Sequence, residues 1–262
     1  MSLRPVNLKK INYHQLVDDP PNVVILPWGA TEAHNYHLPF AADVIEAEAF
    51  AEEAAYAASI EGALVAVLPP IPFGSDAQQL DQISTIHLSA ATAGMILRDV
   101  VHSLNRQGID RLVILNAHGG NEFKPHIRDL QDQFPILIVL VNVPEMVPEL
   151  IRELFDQPGD HAGALETSLL LHLCPDQVYP ELAGPGSRNP FRIKGLSRPG
   201  IWTPRPWRQV HPDLGSGNPA GASADKGKRY FEAVVGEIKD LLVNLSAAEK
   251  GDLPYLQVRK PV

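Results

Sequence analysis

Glu32, His34 and Asp43 stand directly behind the apolar run Val23-Val24-Ile25-Leu26, which Pro27 and Gly29 are expected to stop. A carboxylate, an imidazole two residues on and a second carboxylate after a Pro-containing loop make a donor set for a divalent cation. Zinc, manganese and iron accept mixed oxygen and nitrogen ligands, whereas calcium wants oxygen alone. The carboxyl end of a strand is where an α/β protein places such groups. Two further clusters carry the same chemistry. Asn116-Ala117-His118-Gly119-Gly120-Asn121 follows the apolar run that ends at Leu115, and His161-Ala162-Gly163-Ala164-Leu165-Glu166-Thr167-Ser168 leads into an apolar helix. The first two clusters each follow a strand, so both can open on one sheet edge. If two cations are held, one group must bridge them, and Asp43 can use both oxygens. Glycines beside His118 let the backbone turn sharply or approach a ligand. A helix starting near Asn121 offers free amide donors to an anionic group.

Taken singly, these residues have plainer readings. Thr31 and Glu32 can begin a helix, Asn116 and Asn121 can serve as turn or cap residues, and His34 alone reads as a surface histidine. The shared placement of three clusters favours the metal. His161 and Glu166 are five apart, about 140° around an ideal helix, so His161 is expected in the loop before that helix. His14, His102, His126, His172 and His211 are read as surface or packing residues. His37 and His87 are left open between packing and the site.

The elements that must position these groups alternate in type. Strands are predicted over 23–26, 63–68, 111–115 and 136–141, and helices over 44–60, 89–107, 121–133 and about 222–245. Ser89 is a plausible cap and Gly108 a plausible stop. In the last helix Phe231, Val234, Val235, Ile238, Leu241, Leu242 and Leu245 fall at helical spacing. Repeated β then α predicts an α/β fold with a mainly parallel central sheet and helices on both faces. Residues 175–219 hold nine prolines and six glycines, with Trp202 and Trp207 among them. That stretch is too long for a plain connection and reads as a functional or interfacial excursion. No repeat and no linker divides the chain, so residues 1–262 are expected to form a single domain carrying this Pro/Gly-rich excursion at about 175–220.

Composition narrows the partners. The 262 residues are 45% hydrophobic with a formal net charge of -9, and no basic run is present. Nucleic acid and anionic membrane surfaces are therefore not expected as partners. The one cysteine, Cys174, is read as a structural thiol. No apolar run approaches the roughly 20 residues of a membrane span, and no signal core is seen at the N-terminus. The expected location is cytoplasmic.

The motifs resemble the creatininase (creatinine amidohydrolase) family. The resemblance rests on Leu26-Pro27-Trp28-Gly29-Ala30-Thr31-Glu32-Ala33-His34 with Leu38-Pro39 and Asp43, on Asn116-Ala117-His118-Gly119-Gly120-Asn121, and on His161-Ala162-Gly163 with Glu166-Thr167-Ser168. Gly217-Asn218-Pro219, Ala222 and Lys226-Gly227 match more weakly. The matches are spread over about residues 23 to 235. The resemblance implies a three-layer α/β/α sandwich, a two-metal site, a homo-oligomer (a hexamer) and hydrolysis of a carbon–nitrogen amide bond, often in cyclic or formyl amides. By position, Glu32, His34, Asp43 and His118 are the implied metal ligands, with Asp43 bridging and with Glu32 and His34 on different metals. His161 matches a catalytic histidine. Glu166 matches a carboxylate at or beside the metals, so it is read as both ligand and catalytic. The two divalent ions are expected to be zinc, with manganese or iron as alternatives. A small-molecule amide would be attacked by a hydroxide bridging the metals, with His161 carrying the proton to the leaving nitrogen.

Two departures modify this. True creatininases carry a carboxylate ligand two residues after the histidine of the second motif, where this chain has Gly120. The chain thus resembles the broader branch, a ligand role moves to Glu166, and creatinine itself is disfavoured as substrate. Gly74-Ser75-Asp76-Ala77-Gln78-Gln79 replaces a Gly-Ser…Glu-His segment, and Ser84-Thr85 replaces a Gly-Thr turn, so substrate contacts there are expected to change. Trp202 and Trp207, with Arg192, Arg198, Arg205 and Arg208, are read as a substrate-selecting lid or as a solvated or subunit-interface loop. A metal-binding module without catalysis and a two-metal phosphoesterase remain the alternative functions. The second is disfavoured by the lack of an Asp-rich ligand set.

Overall fold

The computed structural model describes residues 5–251. Four strands, β1 (Val23–Trp28), β2 (Val65–Val67), β3 (Arg111–Asn116) and β4 (Leu137–Asn142), form one sheet in the order β2-β1-β3-β4, and every pairing is parallel. All residues of β1 and β3 are buried. Parallel strands covered on both faces need apolar side chains on both, which is why these runs are continuous rather than alternating.

Helix α1 (Ala42–Ile60) links β1 to β2, α2 (Ala90–Arg106) links β2 to β3, and α3 (Lys124–Gln133) links β3 to β4. After β4 come α4 (Pro148–Leu154), α5 (Ala164–Leu173) and α6 (Ala224–Ala247). Alternate side chains feed two cores. Val23, Ile25, Val113 and Leu115 pack with the alanines of α1 and with α5 and α6, while Val24, Leu26, Trp28, Leu112 and Ile114 pack with Leu97 and Val101 of α2 and Leu130 of α3. The result is the expected three-layer α/β/α arrangement. Small residues bring its helices close. A Cβ at Gly227 in α6 would stand 1.9 Å from the Ser168 carbonyl oxygen of α5.

Several boundaries differ from the sequence reading. β1 runs on through Pro27 to Trp28 instead of stopping. β2 has ended at Val67, so the ladder asks no N–H of Pro27, and the Pro27 carbonyl accepts from Ile71 N at 3.0 Å. β2 itself is shorter than the apolar run. α1 begins at Ala42, which puts Asp43 in its first turn rather than in the loop before it. α3 begins at Lys124, so Asn121 is not its cap. Residues 175–219 contain only the short turns Pro175–Gln177 and Pro180–Leu182 and the helix Trp207–Val210. Among the described residues, no helix is long and apolar enough to cross a membrane.

Candidate metal centre

β1 runs to one side of the sheet's middle and hands on to β2, while β3 lies on its other side. The crevice at the carboxyl ends of β1 and β3 is the switch point where such sheets bind ligands. Glu32 and His34 follow β1 and His118 follows β3. Gly29 lets the chain leave β1 against the first turn of α1, because a Cβ there would lie 2.6 Å from Val44 N and 2.7 Å from the Asp43 carbonyl carbon. That close approach delivers Asp43 to the two strand-end residues.

The predicted residues converge. His34 Nε2 stands 3.2 Å from Asp43 Oδ1, and His118 Nδ1 stands 3.2 Å from Asp43 Oδ2 and 2.9 Å from Glu32 Oε1. The two oxygens of Asp43 therefore face two histidines. Three donor groups, buried except for the half-buried Glu166, have ligand atoms within 4.8 Å of one another: Glu32, His34 and His161; Glu32, Asp76 and His118; His34, Asp43 and Glu166. Glu32 and His34 share the group with His161, and each also belongs to a group without the other. His161 lies just before α5, as its spacing to Glu166 requires. Ala162 between them holds φ +51°, uncommon for a residue with a Cβ, and its N–H donates to a Glu166 oxygen.

Hydrogen bonds orient the rings. His34 Nδ1 lies 3.1 Å from the Glu32 carbonyl oxygen, and His161 Nε2 lies 2.8 Å from the Ala33 carbonyl oxygen. A carbonyl only accepts, so each of these nitrogens carries a proton, leaving His34 Nε2 and His161 Nδ1 turned toward the carboxylates. His161 is also packed against the His34 ring, with centroids 4.2 Å apart, and against the edge of Trp207.

The electrostatics are those of a site built for positive charge. Burial, only partly offset by His118, lifts Glu32 to about 7, and burial outweighs His34 to lift Glu166 to about 7. Burial resists protonation of His34, but Asp43, Glu32 and Glu166 overcome it and push it up to about 10. Burial and the neighbouring His34 push His161 well down. Asp43 Oδ2, Asp76 Oδ1 and His118 Nε2 are met only in the His118 ion pairs with Asp43 and Asp76, and Asp76 Oδ2 and Glu46 Oε1 are buried with no hydrogen-bond partner. Such orphaned buried oxygens are costly unless a cation or donor meets them. Mixed imidazole and carboxylate donors with several unmet lone pairs fit divalent zinc, manganese or iron.

Other candidate residues take structural roles or lie at the cavity. Asn116 and Asn121 brace the loop instead of facing the centre: Asn116 Oδ1 accepts from Asn121 Nδ2 at 2.9 Å, and Asn116 Nδ2 donates to the His118 carbonyl at 2.8 Å. His37 packs through Nε2 on Thr167 Oγ1 at 2.8 Å and joins none of the donor groups. His87 Nδ1 accepts from Asp76 N at 3.0 Å, so it anchors a loop. Gln79 donates its amide to a Glu32 oxygen. His211 is buried against Trp207. Above the centre lies a cavity of about 540 Å³ lined by Trp202, Arg205 and Trp207 as well as by the acids. Arg192, Arg198 and Arg208 do not line it. Arg205 is tied down, 2.7 Å from Asp160 Oδ2 and stacked over the Trp207 ring.

The sequence reading missed Asp76 and Glu46. Glu46 had a signal, since three residues after Asp43 on a helix is the same face. Asp76 had none beyond its place in the segment that departs from the family pattern.

Comparison with known proteins bears on the family and the fold. The family model described as Creatininase, creatinine amidohydrolase, matches residues 9–242. The mycofactocin precursor peptide peptidase of Mycobacterium tuberculosis is 30% identical over 230 residues, 84% of each chain. The creatinine amidohydrolase of Pseudomonas putida is 30% identical over 176 residues, 60% of this chain and 66% of its own. A solved structure from Bacteroides fragilis, assigned as a creatinine amidohydrolase, superposes with a TM-score of 0.87 at 38% identity, covering 94% of this chain and 98% of that one. The chain belongs to the creatininase family, whose members are hydrolases of amide or peptide-like bonds.

Proposed function

We propose that this chain is a metal-dependent hydrolase that cleaves a carbon–nitrogen amide bond in a small cyclic or formyl amide, using two divalent cations. The observation that carries this reading is Asp43, whose two oxygens face His34 and His118 in a buried acid cluster beneath the 540 Å³ cavity. Glu32 and His118 would hold one cation, His34 and Glu166 the other, and Asp43 would serve both. Zinc suits the donor set best, with manganese or iron as alternatives. Bound there, such ions supply Lewis acidity and a water of lowered pKa.

The chain's own residues do the rest. Gln79 holds one Glu32 oxygen and Ala162 N–H holds one of Glu166, so both carboxylates keep fixed orientations. His161 is anchored through Nε2 on the Ala33 carbonyl, and burial keeps the ring neutral. Its Nδ1 therefore offers a lone pair, 3.7 Å from Glu32 Oε1, that can take a proton and return it to a leaving nitrogen. Trp202, Trp207 and Arg205 form the mouth and would choose the substrate. Residues 1–262 would act as one unit in a cytoplasmic homo-oligomer, a hexamer by family resemblance. Exposed Leu80, Ile83 and Ile86 support a subunit contact.

A short peptide is the second substrate reading. The relative named a peptidase covers 84% of this chain, against 60% for the one named a creatinine amidohydrolase. The test is metal analysis joined to turnover of cyclic amides, formyl amides, short peptides and a phosphate ester. Turnover of an amide with bound metal is expected. Bound metal with no amide cleavage would mean a binding module, and cleavage of only the ester would mean a phosphoesterase.

A further inference from the structure

His118 presents its two ring nitrogens to different carboxylates. Nδ1 stands 2.9 Å from Glu32 Oε1 and 3.2 Å from Asp43 Oδ2, the two acids that would share a cation with it. Nε2, on the opposite edge of the ring, is paired with Asp76 Oδ1 at 3.0 Å. A ring nitrogen that holds a cation offers it a lone pair, and the neutral ring then carries its proton on the other nitrogen. A cation on the Nδ1 side therefore puts that proton on Nε2, where Asp76 Oδ1 can accept it.

Asp76 is committed to this contact. It is fully buried, and among the described residues its carboxylate has no other partner. A buried carboxylate is costly unless paired, and the ring N–H is the donor that faces it. The main chain around it is pinned. Asp76 N–H donates to His87 Nδ1 at 3.0 Å, the Asp76 carbonyl accepts from Gln79 N at 2.9 Å, and Ser75 N donates to Asn121 Oδ1 at 3.1 Å. Gly120 clears the approach. A Cβ there would fall 2.4 Å from His118 Nε2 and 2.7 Å from the Ser75 carbonyl oxygen, so a side chain at 120 would contest the ring edge that Asp76 occupies. The same loop also holds Glu32, since Gln79 donates to Glu32 Oε2, the oxygen that does not face His118.

We infer that Asp76 is a positioning residue. It accepts the Nε2 proton of His118, fixes that tautomer and the ring's orientation, and so keeps Nδ1 free for the cation shared with Glu32 and Asp43. Asp76 itself does not touch the metal. The inference rests on the metal-dependent reading above and leaves Asp43 between the two cations.

The test is zinc binding by the full-length protein, stripped of metal and re-titrated against a competing chelator. The parent is compared with Asp76→Asn and Asp76→Ala, with thermal melts of the metal-free forms to verify folding. Asp76→Ala removes the acceptor and is expected to lose about 10–100-fold in affinity at one zinc equivalent and about threefold or less at the other. Asp76→Asn keeps an acceptor oxygen without the charge, and its affinity is expected to fall between those of the parent and Asp76→Ala. A crystal structure of the zinc-loaded parent should show zinc on Nδ1 and Asp76 still at hydrogen-bond distance from Nε2. Zinc seated between Nε2 and Asp76 would overturn the assignment. A parent that takes up no zinc overturns the hydrolase reading and this inference together. A parent that loads normally beside folded Asp76 variants that load equally well overturns this inference alone. Equal loss at both equivalents in step with a lowered melting temperature also overturns it, because Asp76 would then serve packing and not His118.

Discussion

At the floor of the cavity, Glu32, His34, Asp43 and His118 are each 5% exposed or less and stand on the ends of β1 and β3 and the first turn of α1. At its mouth, Trp202 is 84% exposed in a Pro/Gly-rich stretch with little regular structure. The floor is held from behind by a two-sided core, so its geometry is shared with the fold. The mouth is held by local ties, such as Arg205 on Asp160 and the paired backbone hydrogen bonds between His161 and Ser216. The difference teaches where each property of the protein resides. On the proposed function, reaction class would belong to the rigid elements and substrate choice to the loop above them.

The sharpest way to break this contrast is at the floor. Asp43→Asn is expected to lower amide turnover by about a hundredfold or more and to reduce bound metal, because one residue faces both histidines. Metal analysis with steady-state kinetics checks it. Full metal and full activity in that variant would remove Asp43 from the centre.

Packing behind the floor comes next. Gly227→Ala is expected to destabilise the fold by about 1–3 kcal/mol, since its Cβ would meet the Ser168 carbonyl oxygen. Thermal or urea unfolding reads this directly. An unchanged midpoint would mean that α5 and α6 can part without loss.

A gentler probe is pH. Glu32 and Glu166, both raised to about 7 by burial, carry protons below that value and must release them to bind metal. Their contribution to metal affinity is therefore expected to be level above about pH 7 and to fall below it, approaching about tenfold per unit for each proton displaced. Competition titrations at several pH values measure it. In the metal-free protein the same two groups act on stability. Their folded pKa exceeds the unfolded value of 4.5, so their contribution is greatest below 4.5 and is lost as pH rises through about 7.

The mildest change is expected at the mouth. Trp202→Ala should leave the unfolding free energy within about 0.5 kcal/mol and metal content unaltered, while shifting KM and the ranking of amides in a substrate panel. Loss of metal in that variant would erase the distinction between floor and mouth.

Much of this was legible in the chain. Continuous apolar runs ending in Pro or Gly, alternating with helical spacing, determine a parallel α/β sheet, because strands covered on both faces have no polar side to show. Glu32, His34, Asp43, His118, His161 and Glu166 stand out as candidates because each lies just after a strand or at the start of a helix and the three clusters share one chemistry. The family follows from those motifs together. Tertiary structure decided the rest. Pro27 stays in β1 only because its neighbour strand has already finished. His87 and Asn121 face a loop instead of the centre because Asp76 and Ser75 reach them across the fold. Asp76 and Glu46 enter the site by burial and by distance to groups far away in sequence. Spacing along a chain records local geometry, whereas which carboxylate meets which ring is set by how separate elements pack.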